Sequence, residues 1–135
     1  MKTETCRNRW ADAKRSRFAD LRKLWTAYCE GEEETDEGSI YEYGLAFDYV
    51  APDTFGHQPE GYWRYQISYG GPSEEIRFYS SSAHSTPYRI TFVFLDWSDG
   101  HERKLVGKDN ELAAELWNWF DEGGSTESEF TNSMN

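Results

Sequence analysis

The sequence predicts an α+β fold in which an N-terminal helix precedes an antiparallel meander of four to five strands, and a C-terminal helix packs on the sheet. Three observations carry that expectation. Large apolar residues recur at helical spacing between Asn8 and Cys29. From Tyr41 onward the period becomes two, in runs closed by Gly and Pro. The connections between these runs are short and leave no room for helical crossovers, so each strand is expected to pair with the next.

In the first segment Trp10, Phe18, Leu21, Leu24, Trp25 and Tyr28 fit one helix face, while Arg7, Arg9, Lys14, Arg15, Arg17, Arg22 and Lys23 fill much of the rest. Residues 1–30 therefore read as a basic amphipathic helix. Residues 31–38, dominated by Glu32, Glu33, Glu34, Asp36 and Glu37, read as a solvated acidic linker that can fold back on that helix.

Residues 39–122 form the expected α+β core. Tyr41, Tyr43, Leu45, Phe47 and Tyr49 alternate with polar or small residues as a first strand, and Trp63, Tyr65, Ile67 and Tyr69 as a second. Gly70-Gly71-Pro72-Ser73 is a turn by composition, followed by a short third strand from Ile76 to Ser80. Tyr88 to Trp97 is apolar on both faces and calls for a central position or helical cover. Asp99-Gly100 signals a hairpin into a fifth strand, Arg103 to Val106. Asp109 or Asn110 can cap a last helix through Leu112, Leu116, Trp119 and Phe120, stopped at Gly123-Gly124. Residues 123–135 read as a disordered polar tail.

A chain of 135 residues suits one domain. Leu, Ile, Val and Phe number only 22, which beside a net charge of -11 would ordinarily indicate disorder. Six Trp and nine Tyr overturn that inference, because each large aromatic can bury roughly 150–250 Å². Cys6 and Cys29 stand about 34 Å apart on a continuous helix, which implies two reduced thiols. With no bilayer-length apolar run and no signal-type segment, the expected location is the host-cell cytoplasm.

Charge is unevenly placed: residues 1–29 sum to +5 and residues 30–135 to -16. Such an acidic body repels nucleic-acid phosphates and steers toward basic partner surfaces. Catalytic patterns are lacking. His57, His84 and His101 are widely spaced, no Cys-x-x-Cys or helical His pair offers a metal site, and no glycine-rich loop precedes a helix. The reading is therefore non-enzymatic, with no catalytic residue, metal or cofactor expected. A catalytic rival would rest on His84 or His101 with a neighbouring carboxylate.

The expected partner-binding residues are Glu42 and Asp48 on the first strand, Glu74, Glu75, Asp96 and Asp99 in loops, Glu111, Glu115 and Glu122 on the last helix, and Trp97. The helical trio, with Asn118, follows spacings of four, three and four opposite Leu112, Leu116 and Phe120. Carboxylates spread over a rigid sheet can stand in for duplex phosphates, spaced roughly 3.4 Å along each strand. Phe55, Tyr62, Trp97 and Trp117 are the aromatics expected at the surface as anchors.

The stretches Tyr41-Glu42-Tyr43-Gly44-Leu45, Phe47-Asp48-Tyr49-Val50-Ala51-Pro52, Gly61-Tyr62-Trp63-Arg64-Tyr65-Gln66, Gly70-Gly71-Pro72-Ser73 and Arg77-Phe78-Tyr79 resemble a family of small proteins carried by plasmids and phages. The resemblance continues through Asp96-Trp97, Asp99-Gly100 and Trp117-Asn118-Trp119-Phe120, and leaves the basic helix outside. It implies a counter-defence context: anti-restriction or anti-CRISPR inhibitors that imitate DNA. The expected function is stoichiometric inhibition of a host DNA-binding defence complex through its basic surface, with no direct nucleic-acid contact by the acidic core and no membrane. The alternative is a non-enzymatic adaptor whose basic helix binds nucleic acid or an acidic partner.

Overall fold

The computed structural model describes residues 5–32, 35, 36, 38–97 and 99–133. Its elements are α1 (Cys6–Cys29), a one-turn α2 (Ile40–Tyr43), β1 (Ala46–Val50), β2 (Tyr62–Ser68), β3 (Ser73–Tyr79), β4 (Arg89–Asp96), β5 (Asp99–Lys104), α3 (Gly107–Glu122) and α4 (Ser125–Ser133). The strands lie in the order β1-β2-β3-β4-β5, each antiparallel to the next. This is the α+β meander that the alternation and short connections predict.

Period-two alternation gives the sheet two different faces. Trp63, Tyr65 and Ile67 of β2, Ile76 and Phe78 of β3, and Ile90, Phe92 and Phe94 of β4 point to one side, which the helices cover. From α1 come Trp10, Phe18, Leu21 and Leu24; from α3 come Leu112, Ala113, Leu116 and Trp117. Thr5 starts α1, its side-chain oxygen accepting the Asn8 N–H at 3.2 Å. The Trp10 indole donates to the Phe92 carbonyl at 2.7 Å, fastening α1 to the most apolar strand. The opposite, outer face carries Arg64 and Gln66, Glu75, Arg77 and Tyr79, and Thr91 and Glu102 on successive strands.

Several expectations are corrected. Tyr41 and Tyr43 do not begin the first strand but lie in α2, and β1 starts at Ala46. The helical turn sends Ile40 into the core and lets the Tyr43 hydroxyl donate to Asp20 at 2.7 Å. Gly44 then passes so close to the Tyr65 ring that a Cβ there would lie 2.1 Å from a ring carbon. At the β4–β5 hairpin, Asp99 and Gly100 pair with Asp96 and Leu95 as strand residues, so the turn falls earlier, at Trp97 (φ 58°).

The stretch read as a disordered tail contains α4. Its Thr126 carbonyl accepts the Trp63 indole N–H at 2.8 Å, and Phe130 packs against Tyr49 and Trp63. Phe130 is the single large apolar residue of this segment, and with the buried Thr126 it closes the core. Of the acidic linker, Glu33, Glu34 and Glu37 lie outside the described residues, while Thr35 and Gly38 form a small bridge.

Candidate interaction surface

The basic residues of α1 are largely consumed inside the molecule. Arg17 donates twice to Glu74 Oε2, at 2.9 and 2.6 Å, and Arg9 pairs with Asp96. Lys14 and Arg22 clasp the two oxygens of Asp109 at 2.7 and 2.9 Å. Burial alone would raise the Asp109 pKa, but these hydrogen bonds and charges hold it below the usual carboxylate value. Asp99 accepts the Cys6 backbone N–H at 2.8 Å, at the start of the same helix.

Five of the carboxylates expected at a partner surface are thus used within the chain. Glu74 and Glu75 are not in a loop but in β3, and both are buried. Alternation turns Glu74 toward α1 and Glu75 toward the outer face, where its Oε2 accepts from Arg77 Nε at 2.7 Å. Asp48 receives a bidentate pair from Arg64, at 3.0 and 2.7 Å, across the β1–β2 ladder. A desolvated carboxylate without such a partner costs several kcal/mol, so an acidic residue on this sheet is retained where an arginine faces it. Asp96 is paired in the same way with Arg9, whereas Asp99 stays exposed and accepts backbone N–H groups, those of Cys6 and Gly100.

The remaining expected carboxylates do meet solvent. Glu111, Glu115 and Glu122 form an exposed row on α3 with Asn118, opposite the buried Leu112 and Leu116, and Glu42 is exposed on α2. Beside this row lies a cluster of rings that the sequence reading did not single out. Trp25 and Tyr28 of α1, Tyr41 of α2 and Trp119 of α3 stand 5.3–5.7 Å apart between centroids. Tyr41 is 61% exposed, and the Trp25 indole donates to Glu115 at 3.0 Å, tying rings to carboxylates. Three elements distant in sequence supply the cluster; the i, i+3 spacing of Trp25 and Tyr28 was its one local signal.

Trp97 is 98% exposed at the tip of the β4–β5 hairpin, next to a groove it shares with the exposed Tyr69 and with Leu95. A bulky residue held at positive φ is strained, and its ring gains no cover in return. Trp97 sits near Cys6, whereas Glu115 sits near Trp25, so much of α1, about 28 Å of axis, separates the two patches. Phe55 is exposed as expected. Tyr62 and Trp117 are not: Trp117 packs on Trp63 and Phe78, and its indole donates to the Ser85 carbonyl.

Of the two histidines on which a catalytic reading could rest, His84 has both ring nitrogens engaged, by Asp121 and by Glu127, each at 2.9 Å. His101 packs edge-on against the Trp10 ring. The hydrogen bond to Glu127, then that to Asp121, raises the His84 pKa above 6.5. Because the folded value is the higher one, the contribution to stability is present below 6.5 and lost as pH rises through the folded value. An NMR titration is expected to give a His84 pKa above 6.5, with faster exchange of α4 amides once the imidazole loses its proton. A pKa at or below that value contradicts the contact.

Comparison with protein-family models, with curated proteins and with solved structures gives no match for the chain. The class of protein is therefore set by its own fold and surface: an α+β domain presenting an acidic helix beside half-buried rings and the exposed Tyr41. Among the described residues, no helix is long and apolar enough to cross a membrane.

Proposed function

We propose that the chain is a stoichiometric inhibitor of a host DNA-binding defence complex, of the anti-CRISPR or anti-restriction kind, which occupies a Lys/Arg-lined DNA channel with an acidic surface. The observation that carries this reading is the exposed Glu111, Glu115 and Glu122 row on α3, bordered by Trp25, Tyr28, Tyr41 and Trp119. The row covers about 16 Å of helix axis, the axial run of roughly five phosphates on one DNA strand. Carboxylates steer a basic partner and set register, and the adjacent rings supply anchoring area. The mimicking surface is narrower than the sequence reading has it, because the sheet carboxylates serve the fold.

The inhibitor reading is preferred to the adaptor reading because Arg9, Lys14, Arg17 and Arg22 already face carboxylates of their own chain. Engagement of both His84 nitrogens likewise favours binding over catalysis. Reversing the row with Glu111→Lys, Glu115→Lys and Glu122→Lys is expected to weaken target binding on the order of 10- to 100-fold at physiological salt, chiefly through the association rate. The fold is expected to persist, because all three side chains are exposed. Undiminished inhibition by a folded triple variant removes α3 from the interface.

A further inference from the structure

The outer face of the sheet holds a second site, unrelated to the acidic helix. The loop between β1 and β2 lines, with the strands, a half-open pocket of about 400 Å³, within the range of small-molecule sites. The loop is braced by its own side chains. The Gln58 side chain donates to the Ala51 and Glu60 carbonyls and accepts the Phe55 N–H, while Asp53 and His57 hold positive φ of 62° and 58°. Phe55 offers an exposed ring at the mouth.

The floor is polar and charge-balanced. Arg64, Arg77 and Arg89 line it, and so do Glu60, Glu75 and Glu102. Arg77 bridges Glu75 and Glu102, and lies 4.5 Å over the Tyr62 ring. Tyr62 is 1% exposed, and its hydroxyl is the single fully buried side-chain polar atom among the described residues without a hydrogen-bond partner. Burial pushes its pKa up to about 12, so the hydroxyl keeps its proton. A buried hydroxyl left unbonded is destabilising, and Tyr62 is one of the residues lining the pocket. Glu75, 2% exposed, commits only Oε2 to Arg77; Arg64 commits Nε and Nη2 to Asp48.

A charge-balanced pocket disfavours a bare anion or cation and suits a neutral ligand that offers donors on one edge and acceptors on another. Flat guanidinium groups and the Phe55 ring suit a planar one. Guanine meets these conditions: its N1–H and N2–H donors match a carboxylate, and its O6 and N7 acceptors match a guanidinium. We propose that this pocket binds a guanine nucleoside, with Glu75 receiving the N1/N2 edge, Arg64 and Arg89 facing O6 and N7, Tyr62 hydrogen-bonding the base and Phe55 stacking on it.

The test is an NMR titration of the full-length protein with guanosine, inosine, adenosine and glucose. Guanosine is expected to shift Tyr62, Glu75 and Arg77 resonances saturably, inosine to bind about tenfold more weakly for want of the 2-amino group, and adenosine and glucose to leave them unmoved. Tyr62→Phe removes a hydroxyl that bonds to nothing in the chain, so folding is retained while guanosine affinity falls about 3- to 10-fold. Absence of shifts at millimolar guanosine, equal responses to adenosine, binding of glucose instead, or a Tyr62→Phe protein with full affinity would each overturn the assignment.

Discussion

Deletion of residues 1–30 is expected to abolish cooperative folding, and is the largest effect anticipated. Trp10, Phe18, Leu21 and Leu24 are all buried in the main core. At roughly 1.5–3 kcal/mol for each large apolar side chain removed from the interior, their loss approaches the roughly 5–15 kcal/mol by which a domain is stable. The deletion also strands Glu74, Asp96 and Asp109, whose charges Arg17, Arg9, Lys14 and Arg22 offset. Circular dichroism and amide NMR are expected to show loss of the sheet and not merely of one helix. A truncated chain that keeps dispersed amide resonances and a sharp melting transition contradicts the placement of α1. For the same reason this deletion cannot separate an inhibitor from an adaptor, whereas reversing exposed charges on α3 can.

The second large effect is expected at Arg77. On the outer face it stands directly across from Arg64 in the β2–β3 ladder, an arrangement of like charges that costs stability unless acids intervene. Asp48, Glu75 and Glu102 do intervene. Burial lowers the Arg77 pKa while Glu75, Tyr62 and Glu102 raise it, and the net shift is upward, so the guanidinium stays charged. Arg77→Met leaves Glu75, whose side chain is 3% exposed, without its counter-ion, and is expected to cost roughly 3–5 kcal/mol of unfolding free energy. Adding Glu75→Gln to that variant is expected to recover roughly 1–2 kcal/mol, because it removes the stranded charge. Chemical denaturation measures both; a single variant within about 0.5 kcal/mol of wild type would mean that the network contributes little.

The fold was legible because its signals are local. Period-two runs from Trp63 to Trp97 and helical spacing from Trp10 to Tyr28 each specify one element, and short turns leave one simple strand order. Where local and tertiary demands diverged, the reading failed. Tyr41 and Tyr43 alternate like strand residues, yet they lie in α2, whose turn buries Ile40 and is followed by the close passage of Gly44 against the Tyr65 ring. The tail looked too polar to pack, but Thr126 and Phe130 meet Trp63.

The candidate surface was half legible. Glu111, Glu115 and Glu122 follow helical spacing and stay in solvent. Glu74 and Asp96 look the same in composition, but strand parity aims them at arginines of α1, a long-range pairing that spacing alone does not encode. The outer pocket was invisible for a related reason. Arg64, Glu75, Arg77 and Glu102 come from three strands, and only the register gathers them beside the 51–61 loop.

The central claim, inhibition through an acidic surface, is tested most directly by capturing the host partner with tagged wild-type protein and with the Glu111→Lys, Glu115→Lys, Glu122→Lys variant. Both captures are repeated at raised salt and with excess duplex DNA. The expected capture is a single basic, DNA-binding complex that wild type retains, that salt and duplex DNA each release, and that the variant fails to hold. Recovery of nucleic acid itself, or of a partner indifferent to salt, duplex DNA and charge reversal, would contradict it.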